Sequence, residues 1–370
     1  MYHRRTGILL LFATIVPLIT AIFGCDEECG PTCPEVQFDV ASDLTAQIAV
    51  WPTGKPAALS LAYDDVRPFS YEVIAPALEA HGFRGTFNLN TGAIGGQWGP
   101  WIDLAEKGHE LGNHTRNHYS LTELSLDAAR WEIEQGRNDL LENVPCLTDV
   151  ATFAYPNARS NAEIRAIVLE KHISARERWG WNPPSPEDYS RLHSRSYVDL
   201  EQIMRDVDRA INTRTWLIAY FHAVGSEGLP EEDFNHYLDH IAARRDSIWV
   251  APQGTVAKYA IERDNSWIEL SGDNPGALTI QTSVDPARFN VPLSIQLTAV
   301  SDVIELIVVD GEIHVLDAHH STWIQLRPGD SVSIRGAVAG STGGVGKGAS
   351  PDHLWVPRTP GRVESWRDRP

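Results

Sequence analysis

Between residues 57 and 251, short apolar segments alternate with longer segments of helical periodicity, and this alternation constrains the fold more than any other feature. The predicted strands are Ala57–Ala62, Gly85–Leu89, the residues around Glu110, Ala151–Tyr155, the residues around Ile173, Trp216–Phe221 and Ile248–Ala251. The predicted helices are Tyr71–His81, Trp101–Lys107, Leu126–Glu142, Ala162–Lys171, Leu200–Ile211 and Glu231–Arg244. This alternation predicts parallel βα units, enough for an α/β barrel over residues 51–264. Active groups of such barrels gather where the strands end.

From about Asn265 onward the pattern changes to short strands separated by turns, with no long helix. The predicted strands are Trp267–Leu270, Leu278–Thr282, Leu293–Ala299, Val303–Val309, Ile313–Leu316 and Thr322–Leu326. We therefore expect a small all-β sandwich over residues 265–336. The following residues, 337–370, are rich in Gly, Ser and Pro, which predicts a flexible tail.

The amino terminus carries the features of an export signal. Arg4 and Arg5 precede an apolar run from Gly7 to Phe23, and this run ends at Ile22-Phe23-Gly24-Cys25, which resembles a bacterial lipobox. We expect residues 1–25 to direct export and Cys25 to carry a lipid, with simple cleavage or an uncleaved anchor as alternatives. Residues 26–50 are interpreted as a tether. The expected location is the cell envelope, otherwise the periplasm or the medium.

The charge of the chain narrows the classes of partner. Its 31 basic and 49 acidic residues give a net charge of −18. Such a surface repels polyanions, so nucleic acid is not an expected partner. A membrane is expected to be contacted through the amino-terminal anchor alone. Neutral or cationic ligands fit this charge better.

Two adjacent carboxylates, Asp64 and Asp65, follow the first predicted strand. In an extended strand their side chains would point to opposite faces. Both reach one pocket only if the chain leaves strand geometry there, as expected just before Val66-Arg67-Pro68. A helix cap or a solvated turn is the alternative interpretation of this pair taken alone.

Two histidines, His114 and His118, follow the sequence Gly108-His109-Glu110-Leu111-Gly112-Asn113. At a spacing of i and i+4, their imidazoles face the same way if the segment forms a helical turn, and then suit one metal ion. A third histidine, His222, lies at the carboxyl end of the strand Trp216–Phe221, where a barrel collects catalytic groups.

In this order, the three segments resemble the motifs of the polysaccharide deacetylase family, the NodB-like carbohydrate esterases. Tyr63-Asp64-Asp65 resembles its first motif, although Val66 replaces the usual glycine. His114-Thr115-x-x-His118 resembles the second motif and Phe221-His222 the last. The resemblance covers roughly residues 55–260 and implies a distorted (β/α)7-type barrel.

The resemblance also implies a role for each residue. Asp65, His114 and His118 would bind a divalent metal, Zn²⁺ first and Co²⁺ or Ni²⁺ next, with positions left open for water and substrate. Asp64 would be the base and His222 the acid that protonates the leaving amine. The implied reaction removes acetyl groups, in the first place N-acetyl groups, from a polysaccharide.

The third motif, Phe153-Ala154-Tyr155-Pro156-Asn157, departs from the family pattern. Ala154 replaces an arginine that braces the base in the family, so Arg159 or Arg176 is a candidate substitute. Asn157 can still offer its backbone N–H to an oxyanion. We also assign Tyr155, Arg176 and Trp179 to oxyanion or substrate binding. The fourth motif, a Trp and an acid that support the last histidine, has no clear match.

The sequence is compatible with three alternative functions. One is an O-acetyl esterase of the xylan type, which needs the same machinery. Another is a non-catalytic carbohydrate-binding protein of the cell envelope on a deacetylase scaffold. The last is a non-haem iron oxygenase, which also uses two histidines and one carboxylate.

Overall fold

A computed structural model of the protein describes residues 44–177, 179–225, 228–272, 276–300, 305–309, 312–316 and 319–336. The predicted signal peptide and lipobox (1–25), most of the predicted tether (26–50) and the predicted flexible tail (337–370) lie outside these residues. Strands are numbered from β1 (Leu44–Ile48), which precedes the barrel.

The predicted α/β barrel is confirmed. Its strands are β2 (Ala57–Asp64), β3 (Thr86–Leu89), β4 (Glu110–Asn113), β5 (Thr152–Ala154), β6 (Ser174–Arg176), β7 (Arg195–Ser196), β8 (Trp216–Phe221) and β9 (Ile248–Val250). They form an 8-stranded sheet in the order β6-β5-β4-β3-β2-β8-β7, with β9 also paired to β2. Every strand pair is parallel. A single bridge between Arg176 and Leu192 brings the two margins of the sheet together, so the barrel is distorted.

Seven helices accompany these strands in the described part of the chain. They are α1 (Ala75–Ala80), α2 (Gly99–Glu106), α3 (Leu126–Asn143), α4 (Ala162–Leu169), α5 (Leu200–Thr213), α6 (Glu231–Ala242) and α7 (Gln253–Asp264). A single π turn, Ser70–Ile74, leads into α1. Ser125, Asn161 and Asp199 begin α3, α4 and α5, because each side chain accepts a backbone N–H from the first turn.

Side chains of the barrel strands alternate between the face packed on the helices and the barrel interior, which holds both apolar and polar residues. On β2, Leu59, Leu61 and Tyr63 belong to the core shared with the helices. Ser60 and Asp64 face the other way, and Ser60 Oγ accepts a hydrogen bond from Trp216 Nε1 at 3.1 Å inside the barrel. This period of two places every second residue of a strand in the interior. Asp64, as the last residue of β2, therefore faces the interior at its carboxyl end.

The residues predicted as a β-sandwich form antiparallel sheets. The strands are β10 (Ser266–Ser271), β11 (Gly276–Thr282), β12 (Leu293–Ala299), β13 (Glu305–Val309), β14 (Glu312–Leu316), β15 (Ser321–Leu326) and β16 (Ser331–Gly336). One sheet has the order β10-β11-β16-β13-β14 and the other β1-β12-β15. The prediction of a tether to residue 50 is thus wrong for Leu44–Ile48, because this segment pairs along its whole length with β12. Its buried Leu44 belongs to the core that the sheets share.

Helix α7, which the sequence patterns did not predict, joins the barrel to these sheets. Tyr259 Oη donates a hydrogen bond to the Ala49 carbonyl at 2.9 Å, and Glu262 Oε2 accepts one from the Val291 N–H at 2.7 Å. One apolar cluster contains Trp216 of the barrel and Ile295 of β12. The predicted domain boundary at residues 264/265 therefore lies beside a shared core, and the division into two domains stays a prediction.

None of the helices within the described ranges is long and apolar enough to cross a membrane.

Glu262 is fully buried, and burial raises its pKa to about 7 although the Val291 N–H opposes the shift. Because the folded pKa lies above the unfolded value, the contribution of Glu262 to stability is complete below pH 4.5 and is lost as the pH rises through 7. We expect Glu262→Gln to unfold like the parent protein near pH 4.5 and to be about 1 to 3 kcal/mol more stable than the parent at pH 8.

The measurement is urea unfolding at several pH values between 4.5 and 8. Glu106→Gln, at an exposed position on α2, is the matched control and should leave the pH dependence unchanged. A constant difference between Glu262→Gln and the parent protein at every pH would contradict the expectation.

Candidate metal centre and active site

The two carboxylates at the end of β2 reach the same pocket because the strand ends between them. Asp64 keeps the inward direction of its strand, whereas Asp65 has a φ of 70°, in the left-handed region. The Asp65 N–H donates to the Asn88 carbonyl at 3.1 Å, which holds this turn against β3. Both side chains line one open pocket, as the break in strand geometry predicts.

The loop His114–His118 carries the two imidazoles, and we call it the metal loop. The helical turn that would make the two imidazoles face the same way is not formed, because Thr115 and His118 have left-handed φ values of 67° and 60°. The His118 N–H instead donates to Thr115 Oγ1 at 2.9 Å. The two rings nevertheless lie together, with centroids 4.7 Å apart and a T-shaped arrangement.

Asp65, His114 and His118 form the cluster of possible metal ligands in the described residues. One ligand atom from each lies within 4.8 Å of the others. Asp65 Oδ1 is 3.9 Å from His114 Nε2 and 3.7 Å from His118 Nε2. Two imidazole nitrogens and one carboxylate oxygen are ligands that Zn²⁺ prefers, so the side chains fit a divalent ion.

Hydrogen bonding fixes which nitrogen of His114 is available. Its Nδ1 lies 2.7 Å from the Ala154 carbonyl, which can only accept, so Nδ1 carries the proton and Nε2 keeps its lone pair. Burial lowers the pKa of His114, although Asp64 opposes this shift. The ring is therefore neutral and its Nε2 is free to bind a metal ion.

Asp64 lies beside this cluster and is held by two side chains from neighbouring strands. Arg176 Nη2 donates to its Oδ1, as does Asn88 Nδ2 at 3.0 Å. Burial alone would raise the pKa of Asp64, but the charge and hydrogen bond of Arg176 lower it to about 2. The Asp64 carboxylate is therefore ionised at neutral pH and needs no metal bond to remain so.

Arg176 of β6 lies at the level of Ala154 of β5, the position where the resembled family has its arginine. The two residues are direct Cα partners in the parallel ladder, so Arg176 enters the barrel at the same height from the next strand. Its guanidinium lies 4.4 Å from the centre of the Tyr220 ring. Arg159, the other candidate, pairs with Glu123 at the surface, at 2.7 Å.

His222 follows β8 and lies across the pocket, exposed to solvent. Its ring packs edge-on against Tyr220, with centroids 5.6 Å apart. Within the described ranges, no carboxylate or tryptophan hydrogen-bonds to this imidazole. Tyr220 and Arg176 occupy the adjacent wall of the pocket instead.

The third motif forms the remaining rim. Asn157 lies in the short 3₁₀ turn Pro156–Ala158 and has a φ of 56°. The first N–H groups of such a helical turn have no hydrogen-bond partner within the turn. Tyr155 is buried and its hydroxyl donates to the Ser190 carbonyl at 2.9 Å. Trp179 is 76% exposed and is absent from the pocket lining, so its role in substrate binding stays a prediction.

The pocket has a volume of about 60 Å³ and opens to solvent. Its lining residues are Asp64, Asp65, His114, His118, Tyr155, Asn157, Ala158, Arg176, Tyr220 and His222. Sequence reasoning missed Asn88 and Tyr220. Both occupy inward positions of predicted strands, and the amide side chain of Asn88 within a buried strand was the signal available for the first.

Residues 52–175 match the family model of polysaccharide deacetylase. This region contains β2 to β5 and most of β6, and so includes Asp64, Asp65 and the metal loop. This match agrees with the resemblance of the three sequence motifs to the polysaccharide deacetylase family.

A gellan lyase from a Bacillus species is 24% identical over 285 residues, which cover 68% of this chain and 11% of that protein. The chain thus spans about a tenth of the length of that relative. A solved polysaccharide deacetylase from Mycobacterium smegmatis has 15% identity and a TM-score of 0.47, with 58% of this chain and 93% of that chain covered. A peptidoglycan deacetylase from Bacillus subtilis has 16% identity and a TM-score of 0.40, with 54% and 89% covered.

The contact between Arg176 and Asp64 is expected to contribute to the free energy of unfolding. In Arg176→Met the buried carboxylate loses its charged partner, so we expect a loss of about 3 to 5 kcal/mol at neutral pH. Because the folded pKa of Asp64 is depressed to about 2, this contribution is present above the ordinary aspartate pKa of 3.8 and is lost as the pH falls through 2. Urea unfolding at pH 7 and pH 2.5 measures the difference.

A double variant, Ala154→Arg with Arg176→Ala, returns the guanidinium to the neighbouring strand. It should recover part of the stability lost in Arg176→Met. Arg205→Met, which removes an exposed arginine paired with Glu201, is the control and should change stability by less than about 0.5 kcal/mol. If Arg176→Met were as stable as the parent protein at pH 7, the ion pair would not have the role described.

Proposed function

We propose that this protein is an exported, metal-dependent deacetylase that removes acetyl groups, primarily N-acetyl groups, from a polysaccharide. The observation that carries the proposal is the grouping of the Asp65, His114 and His118 ligand atoms within 4.8 Å, beside a separate ionised carboxylate, Asp64. A protein that only bound sugar would have no use for an ionised acid beside a metal site and a histidine across from it.

The proposed metal ligands support hydrolysis because the cluster found among the described residues has three side chains. Catalytic zinc sites use three protein ligands and leave a position for water or substrate, whereas structural sites are closed by four. When bound, a divalent ion lowers the pKa of a coordinated water from about 15.7 to near 7 and polarises a carbonyl group. Zn²⁺ fits the ligands best, and Co²⁺ or Ni²⁺ is the next choice.

Asp64 is proposed to take the proton from the attacking water. Its two hydrogen bonds from Arg176 and Asn88 both reach Oδ1, and this arrangement leaves Oδ2 for that proton. A low pKa makes Asp64 a weak base. The fixed orientation of the carboxylate is therefore its main contribution.

His222 is proposed to protonate the leaving nitrogen, and Asn157 to stabilise the oxyanion. His222 is the imidazole of the pocket that is not in the metal cluster, so it is free to exchange a proton. An amine leaves only when it is protonated, which makes this acid necessary for an amide substrate. The backbone N–H of Asn157 lies on the same rim and can donate to the developing negative charge.

The substrate is proposed to place its acetyl group in the pocket, beside the cluster of Asp65, His114 and His118. The polymer would then lie across the open face. Trp179, with 76% of its surface exposed, is proposed as a stacking surface for a sugar ring. An amino-terminal lipid on Cys25 would keep the protein at the cell envelope.

Metal-ligand and acid variants should separate binding from turnover. Asp65→Ala and His114→Ala should each lose metal, because two ligands hold an ion far less well than three. His222→Ala should keep the metal content of the parent protein and lose about 10²- to 10⁴-fold in turnover. Metal analysis of the purified proteins and acetate release measure the two effects, with His236→Ala on the exposed face of α6 as control. Full metal content in both ligand variants would overturn the assignment.

Substrate tests should distinguish the proposed function from its alternatives. With added Zn²⁺, we expect acetate release from N-acetylated oligosaccharides such as chitin or peptidoglycan fragments, and equal activity with and without oxygen. Release from O-acetylated xylan alone would favour an esterase. No release from any acetylated substrate would favour a binding protein, and a requirement for oxygen would favour an iron oxygenase.

A further inference from the structure

The middle of helix α3 packs against the metal loop and accepts hydrogen bonds from it and from the residue before it. The Arg116 N–H donates to the Glu132 carbonyl at 3.2 Å, although Glu132 lies within α3. Asn113, just before the loop, donates from Nδ2 to the Ile133 carbonyl at 2.8 Å. Helix α3 therefore contacts the chain on both sides of the first imidazole.

Glu132 has an unusual environment for a carboxylate. It is 3% exposed, and no basic side chain in the described ranges lies within ion-pair distance of it. Both of its oxygens instead accept from one residue: Oε2 from the Asn117 N–H at 2.8 Å and Oε1 from Asn117 Nδ2 at 2.7 Å. A buried carboxylate without a counter-ion is costly, so its two bonds to the residue before His118 require a reason.

The backbone of the metal loop provides this reason. Thr115 and His118 both have φ values in the left-handed region, and neither is glycine. Such residues cost on the order of 1 to 3 kcal/mol each and persist where the surrounding structure determines them. Asn117 lies between them, and Glu132 fixes both its backbone N–H and its side chain.

The close approach of the helix also depends on Gly136. A Cβ at this position would lie 2.5 Å from Asn113 Oδ1 and 2.8 Å from the Thr115 carbonyl carbon. Only glycine lets the helix come this near to the loop. The distance between Glu132 and Asn117 follows from that packing.

We propose that Glu132 is a positioning residue for the metal site: through Asn117 it holds His118 in the left-handed conformation in which its imidazole meets Asp65 and His114. The inference rests on the proposed metal site and adds a residue that touches neither metal nor substrate. Loss of the two hydrogen bonds frees the carboxyl half of the loop, so metal affinity falls while the barrel remains folded.

The test compares Zn²⁺ binding to the metal-free protein by isothermal titration calorimetry. In Glu132→Gln the amide NH₂ faces one of the two Asn117 donors, so one bond is lost. We expect a Kd about 10- to 100-fold higher than that of the parent protein. Glu134→Gln, on the same helix in an exposed pair with Arg130, is the matched control and should bind Zn²⁺ like the parent.

A swapped variant shows whether the hydrogen bonds themselves matter. In Glu132→Gln with Asn117→Asp, the side-chain carbonyl of the introduced glutamine can accept the backbone N–H, and its amide can donate to the introduced carboxylate. The net charge equals that of the parent protein, so we expect most of the affinity to return. Thermal unfolding of the metal-free forms should place Glu132→Gln within a few degrees of Glu134→Gln.

The outcomes separate this inference from the proposed function. If the parent protein binds no Zn²⁺, the metal site itself fails and the inference fails with it. If the parent binds Zn²⁺ and Glu132→Gln binds it equally well, Glu132 is not a positioning residue while the metal site stands. The inference is also overturned if the swapped variant does not recover the lost affinity. It is likewise overturned if metal-free Glu132→Gln is unfolded while the swapped variant folds but binds Zn²⁺ poorly.

Discussion

An ionised carboxylate inside the barrel, Asp64, depends on the guanidinium of Arg176 and the amide of Asn88. These groups come from β2, β6 and β3, so the parallel strands must be in their observed register for the charge to be tolerated. The same strand ends bring Asp65 and the metal loop to the pocket. Because a buried charge without partners is costly, the fold and the chemistry of the site are linked at this point.

Much of the barrel follows from sequence patterns because its strands are buried on both faces. Trp216–Phe221, for example, is predicted with the observed bounds, so His222 follows the carboxyl end of the strand as predicted. Helix α7 was missed although Val256, Tyr259 and Ala260 recur at helical spacing after Pro252. Strand β1 was missed because its partner, β12, lies about 250 residues away in the chain, and local patterns do not contain that pairing.

The candidate site shows the same limit. Its acids and histidines were selected from strand ends, but the partner of Asp64 depends on which strand lies beside β5, and this is a property of the sheet order. The i and i+4 spacing of His114 and His118 suggested that their rings lie together on a helical turn; the rings do lie together, but without that turn. Tertiary contacts from α3, and not a helical turn, give the metal loop its shape. Such contacts involve residues far apart in sequence and leave no local pattern.

The central claim is that Asp65, His114 and His118 bind one divalent ion while Asp64 stays outside its coordination shell. Anomalous diffraction at the zinc edge from crystals grown with Zn²⁺ tests it most directly. The account predicts one peak about 2.0 to 2.2 Å from the Asp65 oxygen and the two Nε2 atoms, with Asp64 still bonded to Arg176. A peak bonded to Asp64 in place of Asp65, or no peak in this pocket, would contradict it.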